Sequence, residues 1–181
     1  MRGVSMLSQH KITANYAFIV GLPFETRKEI YETLSLIMKI KRMHPQAEFS
    51  YLYYRPYPGG DLYAQAIEYG YRPPSTLEGW INFQDEETGF ASLDSLPWIK
   101  NKEFIKYLLF AVPHSTRNIR NQRLLSSVAL FTVKIFFKIS LYLRTKFQFE
   151  SFIFELKFWN SLRAVRRILR KVSISLMNRK T

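Results

Sequence analysis

Asn15-Tyr-Ala-Phe-Ile-Val-Gly-Leu-Pro-Phe-Glu-Thr26 is the stretch on which the fold turns. Its first six residues are dominated by β-branched and aromatic side chains and end at Gly21-Leu22-Pro23, a turn no strand passes through, so 15–20 is predicted to be a buried strand. A helix follows at once. Thr26 and Glu29 have the spacing of a capping box, in which hydroxyl and carboxylate satisfy backbone donors at the helix start. Ile30, Leu34, Ile37 and Met38 then share one stripe, while Arg27, Lys28, Glu32, Ser35, Lys39 and Arg42 take the solvent side. Pro45 marks the break. A second strand, about Glu48 to Tyr54, runs into Arg55-Pro-Tyr-Pro-Gly-Gly60, and Asp61 is the expected cap of a helix through Glu68. Strand, crossover helix and strand make a βαβ unit with parallel pairing.

Two runs, Phe18-Ile-Val-Gly-Leu-Pro-Phe-Glu-Thr26 and Pro56-Tyr-Pro-Gly-Gly-Asp-Leu-Tyr63, carry a family resemblance, together with Gly70, the order Pro74, Leu77, Trp80, and Leu96-Pro97-Trp98. This pattern resembles the C-terminal half of the barrel in radical S-adenosylmethionine enzymes. It is most similar to the subfamily with an N-terminal cobalamin-binding domain, which includes the anaerobic magnesium-protoporphyrin cyclases and the hopanoid-modifying methylases. Roughly residues 10 to 110 are covered. Phe24 stands where the family has a second Gly, which argues against a tight turn there, and Gly60 stands where it has Thr.

The resemblance implies an α/β fold: the C-terminal part of a parallel (β/α) TIM-type barrel, followed here by a mainly helical basic tail. It also implies hydrogen abstraction by a deoxyadenosyl radical, or methyl transfer through cobalamin, on a hydrophobic substrate such as a lipid or tetrapyrrole. The strand end Ile19-Val20-Gly21 is then expected near the adenine of S-adenosylmethionine, with Pro23 and Glu25 on the same cofactor-binding loop. Arg55, at the end of the second strand, is placed either to offer the site a fixed cation for a carboxylate or phosphate or to form a surface ion pair. The family's 4Fe-4S cluster needs three cysteine thiolates, and this chain has no cysteine. The cluster, most of the cofactor site and any cobalamin must therefore come from a missing N-terminal half or a separate polypeptide, and the chain alone is expected to be inactive. At 181 residues it reads as a C-terminal piece of a longer enzyme.

Charge divides the chain. Residues 1–110 hold 12 basic and 12 acidic residues, whereas residues 111–181 hold 15 basic and 2 acidic, so the whole excess of +13 lies in the tail. The expected organisation is a leader or end of a preceding barrel helix (1–14), the barrel portion with its covering loop (15–110), and a basic amphipathic tail (111–181). No apolar run follows the basic start, so no signal peptide is read, and absent cysteines suit a cytoplasmic protein. Residues 76–98 read as a packed loop pinned by Trp80, Phe83, Phe90 and Trp98, with Asp85-Glu86-Glu87 a solvated turn. A helix is predicted from Trp98 to Ala111 with Phe104, Tyr107, Leu108 and Ala111 on one face. His10, His44 and His114 share no metal-ligand spacing.

In the tail, the sixteen residues Val128 to Leu143 are nearly all apolar, but Lys134 and Lys138 interrupt them, too short and too charged a run for a spanning helix. On a helical wheel Arg120, Arg123, Ser127, Lys134, Lys138 and Thr145 fall within about 60° of one another, a narrow basic stripe beside a broad apolar face. Leu162, Val165, Ile168, Leu169 and Val172 repeat the pattern, with Arg163, Arg166, Arg167, Arg170 and Lys171 around them. Such helices suit the inner face of a membrane, or they bury their apolar faces on each other. A non-catalytic basic protein that binds an anionic membrane surface or nucleic acid is the alternative function. Aromatic residues are not interleaved with the cations, which argues against a nucleic-acid stacking platform.

Overall fold

The computed structural model describes residues 1–82, 93–117 and 124–150, except the side chains of Asn82 and 124–130. The elements are α1 (Arg2–Gln9), β1 (Asn15–Val20), α2 (Arg27–Met43), β2 (Glu48–Tyr53), α3 (Asp61–Glu68), α4 (Leu77–Asn82), a 3-10 turn (Leu93–Ser95), α5 (Lys102–Thr116) and α6 (Leu124–Phe147). Residues Met1–Phe149 form one compact unit.

β1 and β2 pair in parallel, in register from Asn15 opposite Glu48 to Val20 opposite Tyr53. The chain is therefore α/β with a parallel crossover, as the turn chemistry predicts. A period of two sorts the side chains. Tyr16, Phe18, Val20, Phe49, Tyr51 and Tyr53 lie on the covered side, where Phe49 stacks with Tyr16 at 5.6 Å and Phe18 at 6.3 Å. The opposite side is open. Ile19 is 55% exposed and its register neighbour Leu52 is 47% exposed. The expectation of a buried β1 is thus corrected to a half-buried strand, since among the described residues helices cover only one face.

Thr26 and Glu29 form the predicted capping box. Glu29 N–H donates to the Thr26 hydroxyl at 3.3 Å, and Thr26 N–H donates to the Glu29 carboxylate at 2.7 Å. The buried residues of α2 are Tyr31, Leu34, Ile37 and Ile40, with Ile30 and Met38 only half-covered. The apolar stripe is wider than periodicity indicates because α2 is covered from two directions. Tyr31 reaches a ring of α5, Phe104, at 6.0 Å, and α2 also touches α6. Each such side chain contributes about 1.5–3 kcal/mol by leaving water.

Several local expectations change. Gly60, at φ 77°, occupies the cap position of α3, and Asp61 is its first helical residue and makes no side-chain cap. There a carboxylate favours the helix through the dipole instead. Part of the loop predicted over 76–98 is helical, as α4 and the 3-10 turn; Phe83, Phe90 and Asp85-Glu86-Glu87 lie outside the described residues. α5 starts at Lys102, after Asn101 caps it by accepting from Phe104 N–H at 3.1 Å, and continues past Ala111 and through Pro113 to Thr116. Trp98, predicted at its start, instead donates to the Gly21 carbonyl. Phe104, Tyr107, Leu108 and Ala111 are all buried, as their spacing predicts.

α6 packs on α5, which also lies beside β2. Phe137 meets Tyr107 at 6.2 Å and Phe110 at 5.2 Å, and the Tyr107 and Ser140 hydroxyls are 2.7 Å apart. Arg144, 1% exposed, lies over the Tyr107 ring at 4.6 Å and the Phe149 ring at 4.8 Å. Sequence patterning gives no sign of this buried cation. Of the expected basic stripe, Lys138 is exposed and Lys134 and Thr145 are half-buried. Arg120, Arg123, the side chain of Ser127, and the predicted helix over 161–172 fall outside the description. Among the described residues no helix is long and apolar enough to cross a membrane.

Candidate functional site

The strand ends, where parallel folds place their ligands, are built by three stretches far apart in sequence. Val20 is fully buried, and its carbonyl accepts from Tyr54 N–H at 2.8 Å, extending the ladder one step beyond β2. Gly21 follows at φ +80°, so the backbone favours glycine, and a Cβ there would stand 2.9 Å from Ile99 Cδ1, the flexible end of that side chain. Its carbonyl accepts from Trp98 Nε1–H at 2.9 Å, and its N–H donates to the Glu25 carboxylate. Glu25 N–H closes a turn onto the Leu22 carbonyl at 3.0 Å. The tight turn forms despite Phe24, because Pro23 presets the first bend and Phe24 does not need a positive φ.

Burial raises the Glu25 carboxyl above its ordinary range. The Gly21 and Leu22 backbone donors oppose that shift, and the Glu29 charge adds a little to it. The nearby Tyr51 hydroxyl is raised by burial and then by the Glu25 charge, and it has no hydrogen-bond partner among the described residues.

At the end of β2, Tyr54 is buried with its ring 6.5 Å from Trp98, and Arg55 is half-buried with its guanidinium 5.1 Å over the Tyr53 ring. Gly70, at φ +91°, passes Pro97, whose Cγ is 3.5 Å from where a Cβ would stand. Tyr71 behind it is 2% exposed and edge-on to Tyr63 at 6.2 Å; burial, then Tyr63 and Tyr54, push its hydroxyl up to about 12. The segment Leu96–Ile99 therefore seats against the loops that follow β1 and α3.

The predicted site residues divide accordingly. Val20 and Pro23 are buried, and Gly21 bonds Glu25 through its N–H and Trp98 through its carbonyl. Ile19 points from the open sheet face, and Arg55 lies on an aromatic ring. The Val20 carbonyl and both backbone groups of Gly21 are occupied internally, and the exposed surface beside them is the apolar face of Ile19 and Leu52. No family model, curated protein or solved structure matches this chain.

An iron–sulfur cluster does not fit these residues. The chain has no thiolate, and no group of three or more His, Asp or Glu side chains able to hold a metal is present among the described residues. For S-adenosylmethionine Gly21 leaves no free strand-end donor, and Ile19 presents only an exposed apolar side chain. Sequence reasoning passed over Tyr51, Ile99 and the Trp98 hydrogen bond. The order Leu96-Pro97-Trp98 is visible in the sequence, but nothing there says that Trp98 reaches Gly21. Elsewhere, a hollow of about 360 Å³ opens beside the starts of both strands, lined by Asn15, Glu48, Ser50, His114 and Arg117 among others. His114 Nδ1 bonds the Phe110 carbonyl at 2.8 Å, and His44 Nδ1 lies 3.2 Å from the Tyr16 hydroxyl.

Proposed function

We propose that this chain is the C-terminal β/α portion of a radical S-adenosylmethionine-type barrel acting on a hydrophobic substrate, and that its open sheet face is completed by another polypeptide stretch carrying the cluster. One observation supports this above the others. The positions that carry the resemblance, Gly21, Gly70 and Pro97-Trp98, meet at one end of a parallel βαβ unit. Segments so far apart in sequence have no local reason to converge.

The half-covered sheet agrees with this reading. In a closed barrel the side facing away from the helices is the lumen, and here that side carries Ile19 and Leu52. This chain's own residues would form one wall near the adenine through Ile19 and brace the strand-end loop through Glu25 and Trp98. The cluster, when supplied, would furnish the electron that cleaves S-adenosylmethionine; no residue here ligates it.

The test is co-production with the polypeptide encoded immediately upstream, provided that frame contains a C-x-x-x-C-x-x-C loop. The pair should co-purify, take up iron and sulfide anaerobically, and release deoxyadenosine from S-adenosylmethionine, while this chain alone does none of these. An upstream region without such a loop, or deoxyadenosine release by the cysteine-free chain itself, overturns the proposal.

A further inference from the structure

We propose that the outward face of α6 docks on an anionic lipid bilayer, with Phe131, Ile135, Ile139 and Tyr142 entering the boundary between headgroups and acyl chains while Lys134 and Lys138 engage lipid phosphates. The four apolar side chains recur at steps of four, four and three, which keeps them on one line along the helix. All four are exposed, from 40% at Ile135 to 56% at Phe131. The opposite face is already in use, since Phe137, Leu141 and Arg144 are buried. α6 is therefore apolar on two sides, and the core satisfies only one.

The cations supply the choice of partner. Lys138 is exposed and Lys134 half-buried at the edge of the apolar line, and neither forms an ion pair among the described residues. Lys41 of α2 lies close to both. Its side chain donates to the Pro45 carbonyl at 2.8 Å and the Ala47 carbonyl at 2.7 Å. Burial first, then the charges of Lys134 and Lys138, lower its ammonium to about 8, with Glu48 opposing. Three ammonium groups at one edge of a greasy helix match phosphates of an anionic leaflet lying beside its acyl boundary.

Other occupants fit less well. Residues 151–181 carry eight Lys and Arg against one acid, so laying them over α6 would bring like charges together. A nucleic acid would satisfy the lysines but leave the apolar line in water. This inference stands independently of the barrel reading, because α6 is outside the residues that carry the resemblance.

The absence of cysteine permits a clean test on the full chain. Ile139→Cys is labelled with an environment-sensitive dye and mixed with vesicles of phosphatidylglycerol and phosphatidylcholine, with phosphatidylcholine vesicles, or with duplex DNA. Dye emission should shift blue only with the phosphatidylglycerol vesicles, and the protein should float with them. Ile135→Glu should weaken flotation about tenfold or more. Lys134→Gln and Lys138→Gln should each lower affinity for the anionic vesicles about fivefold, with circular dichroism unchanged. The inference is overturned if the dye ignores anionic vesicles or responds equally to DNA. It is also overturned if the dye already reports an apolar setting before lipid is added, which would mean that residues 151–181 occupy the face. If Ile135→Glu fails to fold, the dye shift and the lysine variants decide the question.

Discussion

The βαβ half and the α5–α6 half of this unit use the same apolar side chains in different ways. In β1–α2–β2 each element has one buried and one solvated side, charges sit on exposed helix positions, and capping and turn residues occupy the positions that local chemistry assigns them. In α5–α6 the buried side contains a guanidinium, and the solvent side contains Phe, Ile and Tyr. The first half reads largely from local rules because its cap, turns and strand ends depend on neighbouring residues, even though its open sheet face carries Ile19 and Leu52. In the second, α5 reads from its spacing but α6 does not, because α6 is apolar on both sides and only the tertiary neighbour decides which side is core.

The largest test of this contrast is Tyr107→Ala. Tyr107 is fully buried, stacks with Phe104 at 6.4 Å, meets Phe137, supports Arg144 and pairs with the Ser140 hydroxyl. Its truncation should cost about 3–5 kcal/mol, as for other large core aromatics. Urea unfolding should show one transition moved to lower denaturant. A loss below about 1 kcal/mol, or two separated transitions, would mean that α5–α6 does not share a cooperative core with the sheet.

Arg144 sharpens the comparison. A planar guanidinium can lie on two rings at once and bond Ser140 through Nε, which it does at 3.3 Å. Arg144→Lys keeps the charge but not the plane, and should cost about 2 kcal/mol, the worth of a desolvated cation–π contact. Arg144→Met should cost less than Arg144→Lys, because replacing a buried charge with an apolar chain of similar length avoids its desolvation. The reverse order in thermal melts would show that the charge itself holds α6 in place.

In the βαβ half the most sensitive single position is Gly21. Gly21→Ala places a side chain at φ +80° and a methyl against Ile99 Cδ1. The backbone term alone is about 1–2 kcal/mol, and Ile99, whose contacting atom is the flexible end of its chain, should yield at little further cost. Gly21→Ala with Ile99→Val should therefore recover little of the loss. Full recovery would show that crowding, and not backbone conformation, selects glycine there.

Legibility follows the same division. The ends of β1, the capping box of Thr26 and Glu29 and the buried face of α5 are visible because each depends on residues a few positions apart, and the parallel pairing follows from the strand–helix–strand order. Tyr31 on α2 and Arg144 on α6 are not, because each meets a ring on an element distant in sequence, Phe104 and Tyr107 respectively. At the strand ends, Gly21 could be singled out as a turn glycine and Glu25 as part of its loop. Their partner Trp98 is 77 residues away, and a hydrogen bond over that distance leaves no local pattern. Asp61 was misassigned for the opposite reason: a good capping residue was present, but the preceding Gly60 already takes the cap conformation at positive φ.

The smallest expected effect lies where the two halves meet. Lys41 on α2 is crowded by Lys134 and Lys138 on α6, and its folded-state pKa is lowered from 10.5 to about 8. For a base depressed in the folded state, the unfolded chain binds more protons between the two values. Stability should therefore rise as pH increases from about 8 toward 10.5. Tyr51 and Tyr71, both raised above 10.0 in the folded protein, act in the opposite direction once the unfolded tyrosines begin to ionise. The clean window is thus the pH range below the ordinary tyrosine value. Urea midpoints across that window should climb slightly in the parent protein and climb less in Lys41→Gln, where Lys134, itself lowered by burial and then by Lys138, keeps a residual slope. Lys134→Gln with Lys138→Gln should reduce the slope without abolishing it, because burial is the larger cause of the shift and the α6 charges are the lesser. If the double variant removed the slope entirely, charge from α6 would dominate. If it left the slope untouched, the two halves would not be coupled electrostatically at this edge.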